Sequence, residues 1–188
     1  KNINFTSNQT KEKFVANVEA SKKFINAGDI IQVVGAQRFS VETKACPVDV
    51  YRAARSVNPS PYMYLLDTGE AQLVGASPEM LVNVKDRVVT TRPIAGTRPR
   101  GETDQRDREL EEELLANEKE IAEHVMLVDL GRNDVGRVSE PGTVVVERLA
   151  RVERFSHLMH LVSQVSGTLR EGLDAIDALA ALFPAGTL

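Results

Sequence analysis

The sequence predicts an α+β fold. Segments with helical spacing of apolar residues are interspersed with short β-branched runs, and two pairs of those runs are joined by turn sequences of hairpin length. An all-parallel α/β sheet would instead need a long crossover between successive strands. Taken in order, Thr10 precedes Phe14, Val15, Val18, Phe24 and Ile25 at helical spacing, and Gly28 closes the segment. Residues 30–39 are rich in β-branched and apolar side chains and predict a strand. Pro47 opens a short helix carrying Val50, Ala53 and Ala54, which Asn58-Pro59-Ser60-Pro61 stops. Residues 62–66 and 71–76, around Asp67-Thr68-Gly69-Glu70, predict one hairpin. Residues 80–84 and 88–91, around Lys85-Asp86-Arg87, predict another.

The next segment, Arg92-Pro93-Ile94-Ala95-Gly96-Thr97-Arg98-Pro99-Arg100-Gly101, holds two glycines, two prolines and three arginines. Such a run predicts a loop, since proline removes a backbone donor and glycine weakens a strand. Free N–H groups beside fixed positive charge suit a carboxylate or phosphate, and an ordinary turn with solvated arginines is the alternative. An acidic stretch, residues 102–120, reads as a solvated face that leads into an amphipathic helix with Leu114, Leu115, Ile121, Val125 and Val128, stopped at Gly131. Residues 144–152 predict a strand. Residues 158–166 are apolar on both alternating faces and predict a buried strand. Residues 174–182 predict a last helix.

At 188 residues, with 42% hydrophobic and 27% charged side chains, the chain is globular in composition. A net charge of −4 argues against non-specific nucleic-acid binding. No apolar run approaches the roughly 20 residues that span a bilayer, and no signal-like segment opens the chain. The single cysteine, Cys46, excludes an internal disulfide and a cysteine-rich zinc site. These features predict a cytoplasmic protein with neither a membrane nor a nucleic-acid partner. The start without Met and the apolar, Pro/Gly-punctuated end read as cuts through a longer chain, so residues 1–188 are expected to form part of one domain.

Three sets of residues carry candidate chemistry. Glu120 and Glu123 share a helix face, where they could serve a hard cation such as Mg²⁺ or simply form a surface acid pair. Glu79 follows the small-residue turn Gly75-Ala76-Ser77-Pro78, where burial would raise its pKa and make it a proton donor; a plain turn carboxylate is the alternative. His157 and His160 are three apart on or beside a strand, so they point to opposite faces and make a poor zinc pair. One of them could be a general acid–base group or a satisfied core histidine. Arg132-Asn133-Asp134 reads as a capping and salt-bridge cluster.

Singly these signals are weak, but their order resembles one family. Gly28-Asp29-Ile30-Ile31-Gln32-Val33-Val34, Gln37-Arg38-Phe39, Asn58-Pro59-Ser60-Pro61-Tyr62-Met63, Gly75-Ala76-Ser77-Pro78-Glu79 and the 92–101 segment all resemble component I of anthranilate synthase, a chorismate-utilising enzyme. So do Glu118-Lys119-Glu120, the run from Glu123-His124-Val125-Met126 through Arg132-Asn133-Asp134, and Phe155-Ser156-His157-Leu158-Met159-His160. The resemblance implies two β-sheets flanked by helices, incomplete in this chain. It also implies a reaction in which ammonia adds at C2 of chorismate, the C4 hydroxyl leaves, and pyruvate is eliminated to give anthranilate.

By the same resemblance, Glu79 is the general acid for the departing hydroxyl, and His160 is the catalytic histidine. Glu123 is a ligand of Mg²⁺, which holds the ring carboxylate, and Gly96 and Thr97 line the substrate site. Pro61 and Met63 belong to a tryptophan feedback site. A glutamine amidotransferase subunit supplies the ammonia. Ala95 stands where the related aminodeoxychorismate synthases carry a nucleophilic lysine, which favours direct attack by ammonia. Isochorismate and salicylate synthases match less well, since they lack the 58–63 motif. A non-catalytic regulatory or subunit-binding fragment is the remaining alternative. Asn117, where an aspartate is common, and Gly35-Ala36 depart from the family pattern. The family's C-terminal metal carboxylate and pyruvate contacts are missing, so the chain by itself is expected to be inactive or nearly so.

Overall fold

The computed structural model describes residues 4–57, 59–155 and 157–185. Asn58, Ser156 and residues 186–188, which belong to the motifs and the chain end discussed above, lie outside the described residues. The chain divides into two units, Lys1–Val50 and Tyr51–Leu188.

In the first unit, β1 (Thr6–Ser7) precedes α1 (Lys11–Ala27). Thr10 caps α1 by accepting from the Lys13 amide, and Gly28 ends it. The expected strand at 30–39 contracts to β2 (Phe39–Ser40), which pairs antiparallel with β1. A ladder requires a partner, and among the described residues of this unit only Thr6 and Ser7 supply one. Ile31, Val33 and Val34 are accordingly exposed. The division between units falls within α2 (Pro47–Val57).

The second unit carries both predicted hairpins. β3 (Tyr62–Asp67) and β4 (Gln72–Ser77) pair in register from Tyr62↔Ser77 to Asp67↔Gln72 and form a two-stranded sheet. β5 (Asn83–Lys85) and β6 (Val88–Thr91) are joined by Asp86 and Arg87, both at positive φ (50° and 62°). Two left-handed central residues make the turn whose twist matches the flanking strands. β7 (Ile94–Pro99) corrects the expected loop at 92–101: most of that segment is a strand. It lies at the end of its sheet and pairs with one neighbour only, which is where proline is tolerated.

The acidic stretch and the following helix form two elements. α3 (Asp104–Ala116) and α4 (Glu118–Gly136) meet at Asn117, which ends the first and caps the second by accepting from the Glu120 amide at 3.1 Å. Asparagine caps as well as the family's aspartate does. The expected stop at Gly131 is also corrected, since α4 continues through it to Gly136. A Cβ at Gly131 would lie 3.2 Å from Thr91 Cγ2 and 3.4 Å from Pro93 Cγ. That glycine marks close helix–sheet approach rather than a helix end. β8 (Val145–Arg154), β9 (Leu158–Thr168) and α5 (Ala175–Leu182, capped by Asp174) complete the unit.

β9 is the centre of the five-stranded sheet. All of its partners are antiparallel: β8 along one edge, and β6 then β7 end to end along the other. Its odd-numbered residues face the helices. Met159 and Leu161 pack with Leu110 and Leu114 of α3, while Val165 packs with Val128 and Val135 of α4. No helix among the described residues is long and apolar enough to cross a membrane. Leu114 is fully buried in the smaller of these two clusters, so Leu114→Ala should lower the unfolding free energy by about 2–5 kcal/mol in chemical denaturation.

Candidate active site

Five of the seven predicted site residues lie on elements that meet at β7. Gly96 adopts φ 66° where the β7–β9 register shifts between Ala95↔Leu161 and Thr97↔His160. It forms a bulge, which re-aims the strand at this point. A Cβ on Gly96 would lie 3.0 Å from Leu114 Cδ1, 3.1 Å from Leu161 Cδ1 and 3.2 Å from Glu120 Oε2. The left-handed backbone and the crowding both require glycine here. They also bring the Glu120 carboxylate against the strand backbone.

The bulge exposes the Gly96 carbonyl to His160. His160 Nδ1 lies 3.1 Å from that oxygen and 3.1 Å from Thr97 Oγ1. A carbonyl only accepts, so Nδ1 carries a proton and donates to it. In the tautomer that this bond selects, the free lone pair is on Nε2. Phe155 packs edge-on against the imidazole with ring centroids 5.5 Å apart. His157 precedes the strand, and its carbonyl accepts from the Arg100 amide.

Glu79 reaches the same strand from the segment after β4. Its Oε1 accepts from the Ile94 amide at 3.3 Å, and Ser77 Oγ bonds its backbone N–H. Loss of hydration among surrounding atoms raises the Glu79 pKa above its ordinary 4.5. The Ile94 hydrogen bond and the nearby His160 act in the opposite direction, and burial wins. The side chain as a whole is nevertheless exposed, which suits a group that must exchange protons with water.

Glu123 is half-buried on α4, one turn from Glu120. Glu120 Oε1 accepts from Arg98 Nη1 at 3.3 Å. Among the described residues no three histidine, cysteine or acidic side chains converge tightly enough to hold an ion unaided. An ion at this helix face would have to complete its shell with water or ligand oxygens. Pro61 and Met63 lie elsewhere, on the two-stranded sheet: Pro61 is exposed just before β3, and Met63 is half-buried opposite Ala76.

The arginines of the 92–101 segment do not form an anion grip, because carboxylates of the chain occupy all three. Arg92 pairs with Glu153, and Arg98 pairs with Glu113 and Glu120. Arg100 pairs with Asp107 at 2.8 Å. Sequence reading missed Glu153, which stands directly across β8–β9 from His160 and holds Arg92. Counting alternation from Val152 would have placed it on the His160 face. Arg132 pairs with Asp129, as the expected salt-bridge cluster requires.

The raised Glu79 pKa means that the folded chain disfavours its ionised form. Its contribution to stability is therefore lost as pH rises from the ordinary carboxyl range through the folded value. Glu79→Gln keeps the acceptor for Ile94 and removes that charge. The variant should unfold at a higher temperature than the parent near pH 7, with the difference vanishing below about pH 4 when both are followed by circular dichroism.

Comparison with known proteins gives one answer. Residues 1–188 match the family model of the chorismate binding enzyme. The chain is 56% identical over 184 residues to anthranilate synthase component 1 of Pseudomonas putida, covering 98% of this chain and 37% of that protein. The crystal structure of anthranilate synthase component I from Streptococcus pneumoniae aligns with all of this chain and 41% of its own, at 47% identity and a TM-score of 0.87. The menaquinone-specific isochorismate synthase of Escherichia coli shares the fold at 21% identity, with a TM-score of 0.77 over 98% of this chain and 43% of its own. The chain thus spans little more than a third of the length of its curated relative. Matched by one family model over its whole length, the chain belongs to the chorismate binding enzymes.

Proposed function

We propose that the chain is the chorismate-binding segment of an anthranilate synthase component 1, converting chorismate and ammonia to anthranilate and pyruvate in tryptophan synthesis. The observation that carries this reading is the convergence on β7 of Glu79, with its raised pKa, at Ile94 and the Nδ1-protonated His160 at the Gly96 bulge. Glu79 is a proton donor suited to a departing hydroxyl, because its acidic proton persists to higher pH than an ordinary carboxyl's. His160 presents Nε2 as the proton-accepting nitrogen and is held in that tautomer by Gly96 and Thr97. Glu123, with Glu120 one turn away, would hold Mg²⁺. When bound, the ion polarises a substrate carboxylate as a Lewis acid. Fixed donors and acceptors around the bulge need no rearrangement as charge develops, which is the main source of electrostatic catalysis.

Ala95 supports ammonia as the nucleophile. It is half-buried opposite Leu161 and offers no amine of its own. The component 1 name of the relatives supports a separate amidotransferase subunit as the ammonia source. The likeness of the 58–63 motif supports Pro61 and Met63 as contacts for tryptophan.

The test replaces the matching 184 residues of the Pseudomonas putida relative with this chain and supplies chorismate, Mg²⁺ and ammonium. Anthranilate, detected by its fluorescence, is the expected product. Aminodeoxychorismate, isochorismate or no product would overturn the reading. In the same protein, Glu79→Gln should lower kcat by about 10²–10⁴-fold, and Glu123→Ala should abolish turnover.

A further inference from the structure

Ser163 gathers bonds from three segments. On central strand β9, its backbone N–H donates to the Pro93 carbonyl at 3.1 Å. Its Oγ accepts from the Ala150 amide at 2.9 Å and lies 2.6 Å from Nε2 of His124. The surroundings are otherwise apolar: Met159, Leu161 and Val165 are the β9 residues on the same face, and Val128 is one turn along α4 from His124. His124 is 0% exposed, and its Nδ1 has no hydrogen-bond partner among the described residues.

Several unfavourable local choices converge on this one hydroxyl. A polar ring is buried with an unsatisfied nitrogen, where an aliphatic side chain would avoid the loss. β8 is bulged so that its register passes from Arg148↔Gln164 to Arg151↔Val162, leaving Leu149 and Ala150 together opposite Ser163. Ala150 adopts φ 50°, a left-handed conformation that an alanine rarely takes. Strain of this kind persists only where the surrounding structure enforces it, and it gathers at functional sites.

The position of the node supplies the reason. Pro93, held by the Ser163 backbone, immediately precedes Ile94, whose amide holds Glu79. His124, held by the Ser163 side chain, immediately follows Glu123 and lies one turn from Glu120. We infer that His124 and Ser163 are positioning residues that set the separation of the Glu79 carboxyl from the carboxylates of α4. Apolar packing alone permits a helix to slide or rotate on a sheet by fractions of an ångström. A directional bond from the middle of α4 to the strand that also fixes Pro93 removes that freedom, and catalytic geometry is sensitive on this scale.

The test uses the transplanted protein described above. His124→Leu fills the same apolar space and leaves Ser163 bonded to Ala150. Its melting temperature should fall by no more than a few degrees, since the apolar volume is kept and one buried hydrogen bond is lost. The kcat should nevertheless fall by about 10–100-fold, and the Mg²⁺ concentration for half-maximal rate should rise, because His124 anchors the turn of α4 that carries Glu120 and Glu123. His124→Gln, which can restore a bond to Ser163, should recover most of the loss.

Hydrogen-exchange mass spectrometry gives a readout that does not need turnover. Peptides from Ile94–Pro99 and the first turns of α4 should exchange about tenfold faster in His124→Leu, with β6 peptides unchanged. The kinetic arm rests on the proposed function; the exchange arm does not, so an inactive parent would count against that function while exchange still decides this inference. Unchanged local exchange, or faster exchange everywhere with a fallen melting temperature, would overturn the positioning role. So would an active His124→Leu variant with kcat and Mg²⁺ dependence within twofold of the parent.

Discussion

The pairing of β9 on both edges is the constraint on which the second unit depends. A strand with antiparallel neighbours on each side cannot slip by one residue without moving every side chain to the other face. Here that register sends Met159, Leu161, Ser163 and Val165 toward α3 and α4, and His160 the other way. The two partners laid end to end along one edge, β6 and β7, leave a junction at Arg92 and Pro93. Glu79 reaches the strand backbone beside that junction, because the Ile94 amide is directed to its carboxyl. A continuous partner strand would have had no such junction. The site thus arises from an interruption in the pairing of an otherwise fully paired strand.

Electrostatics fixes what apolar packing leaves loose. Asp107, at the start of α3, accepts from both Arg100 and Arg154 and from the Gly101 amide. These donors hold its carboxyl well below the usual carboxylate range, with the Arg100 hydrogen bond the largest cause. The aspartate is buried, and a buried carboxylate is tolerable only when its lone pairs are filled. The two arginines come from β7's end and β8's end, so the helix start is tied to both outer strands of the sheet. Arg98 adds a tie farther along, to Glu113 of α3 and Glu120 of α4. The acidic stretch is therefore only partly a solvated face. Its inward acids match the arginines that the same sequence places in β7 and β8.

The reading of elements from sequence succeeded where local signals agree with tertiary need. α1 has its threonine cap and glycine end, and both hairpins have turn residues between β-branched runs. The errors share a cause. Residues 30–38 have strand composition, but among the described residues the registered ladder of this unit takes only Phe39 and Ser40, and composition cannot extend it. Pro93, Gly96 and Pro99 signal a loop locally, yet an edge strand with a bulge accommodates all three. Gly131 looked like a stop because sequence does not reveal that Thr91 and Pro93 press against it. In the candidate site, resemblance singled out Gly96, Thr97 and His160, which the fold brings together, but it did not reveal the carbonyl bond that selects the His160 tautomer. That bond depends on a bulge, and a bulge is a property of two strands in register.

In the proposed reaction the two acid–base groups are not independent. A positive charge on His160 lowers the Glu79 pKa, while burial raises it. The Glu79 carboxyl and the His160 imidazole therefore act on each other electrostatically across one sheet edge. The Gly96 carbonyl commits Nδ1 of His160 and leaves Nε2 as the nitrogen free to meet a substrate. A side chain in place of the Gly96 hydrogen would crowd Leu114, Leu161 and Glu120 together. The same residue therefore sets the tautomer, the path of β7 and the room available to the α4 carboxylates, which ties the proton chemistry to the backbone that supports it.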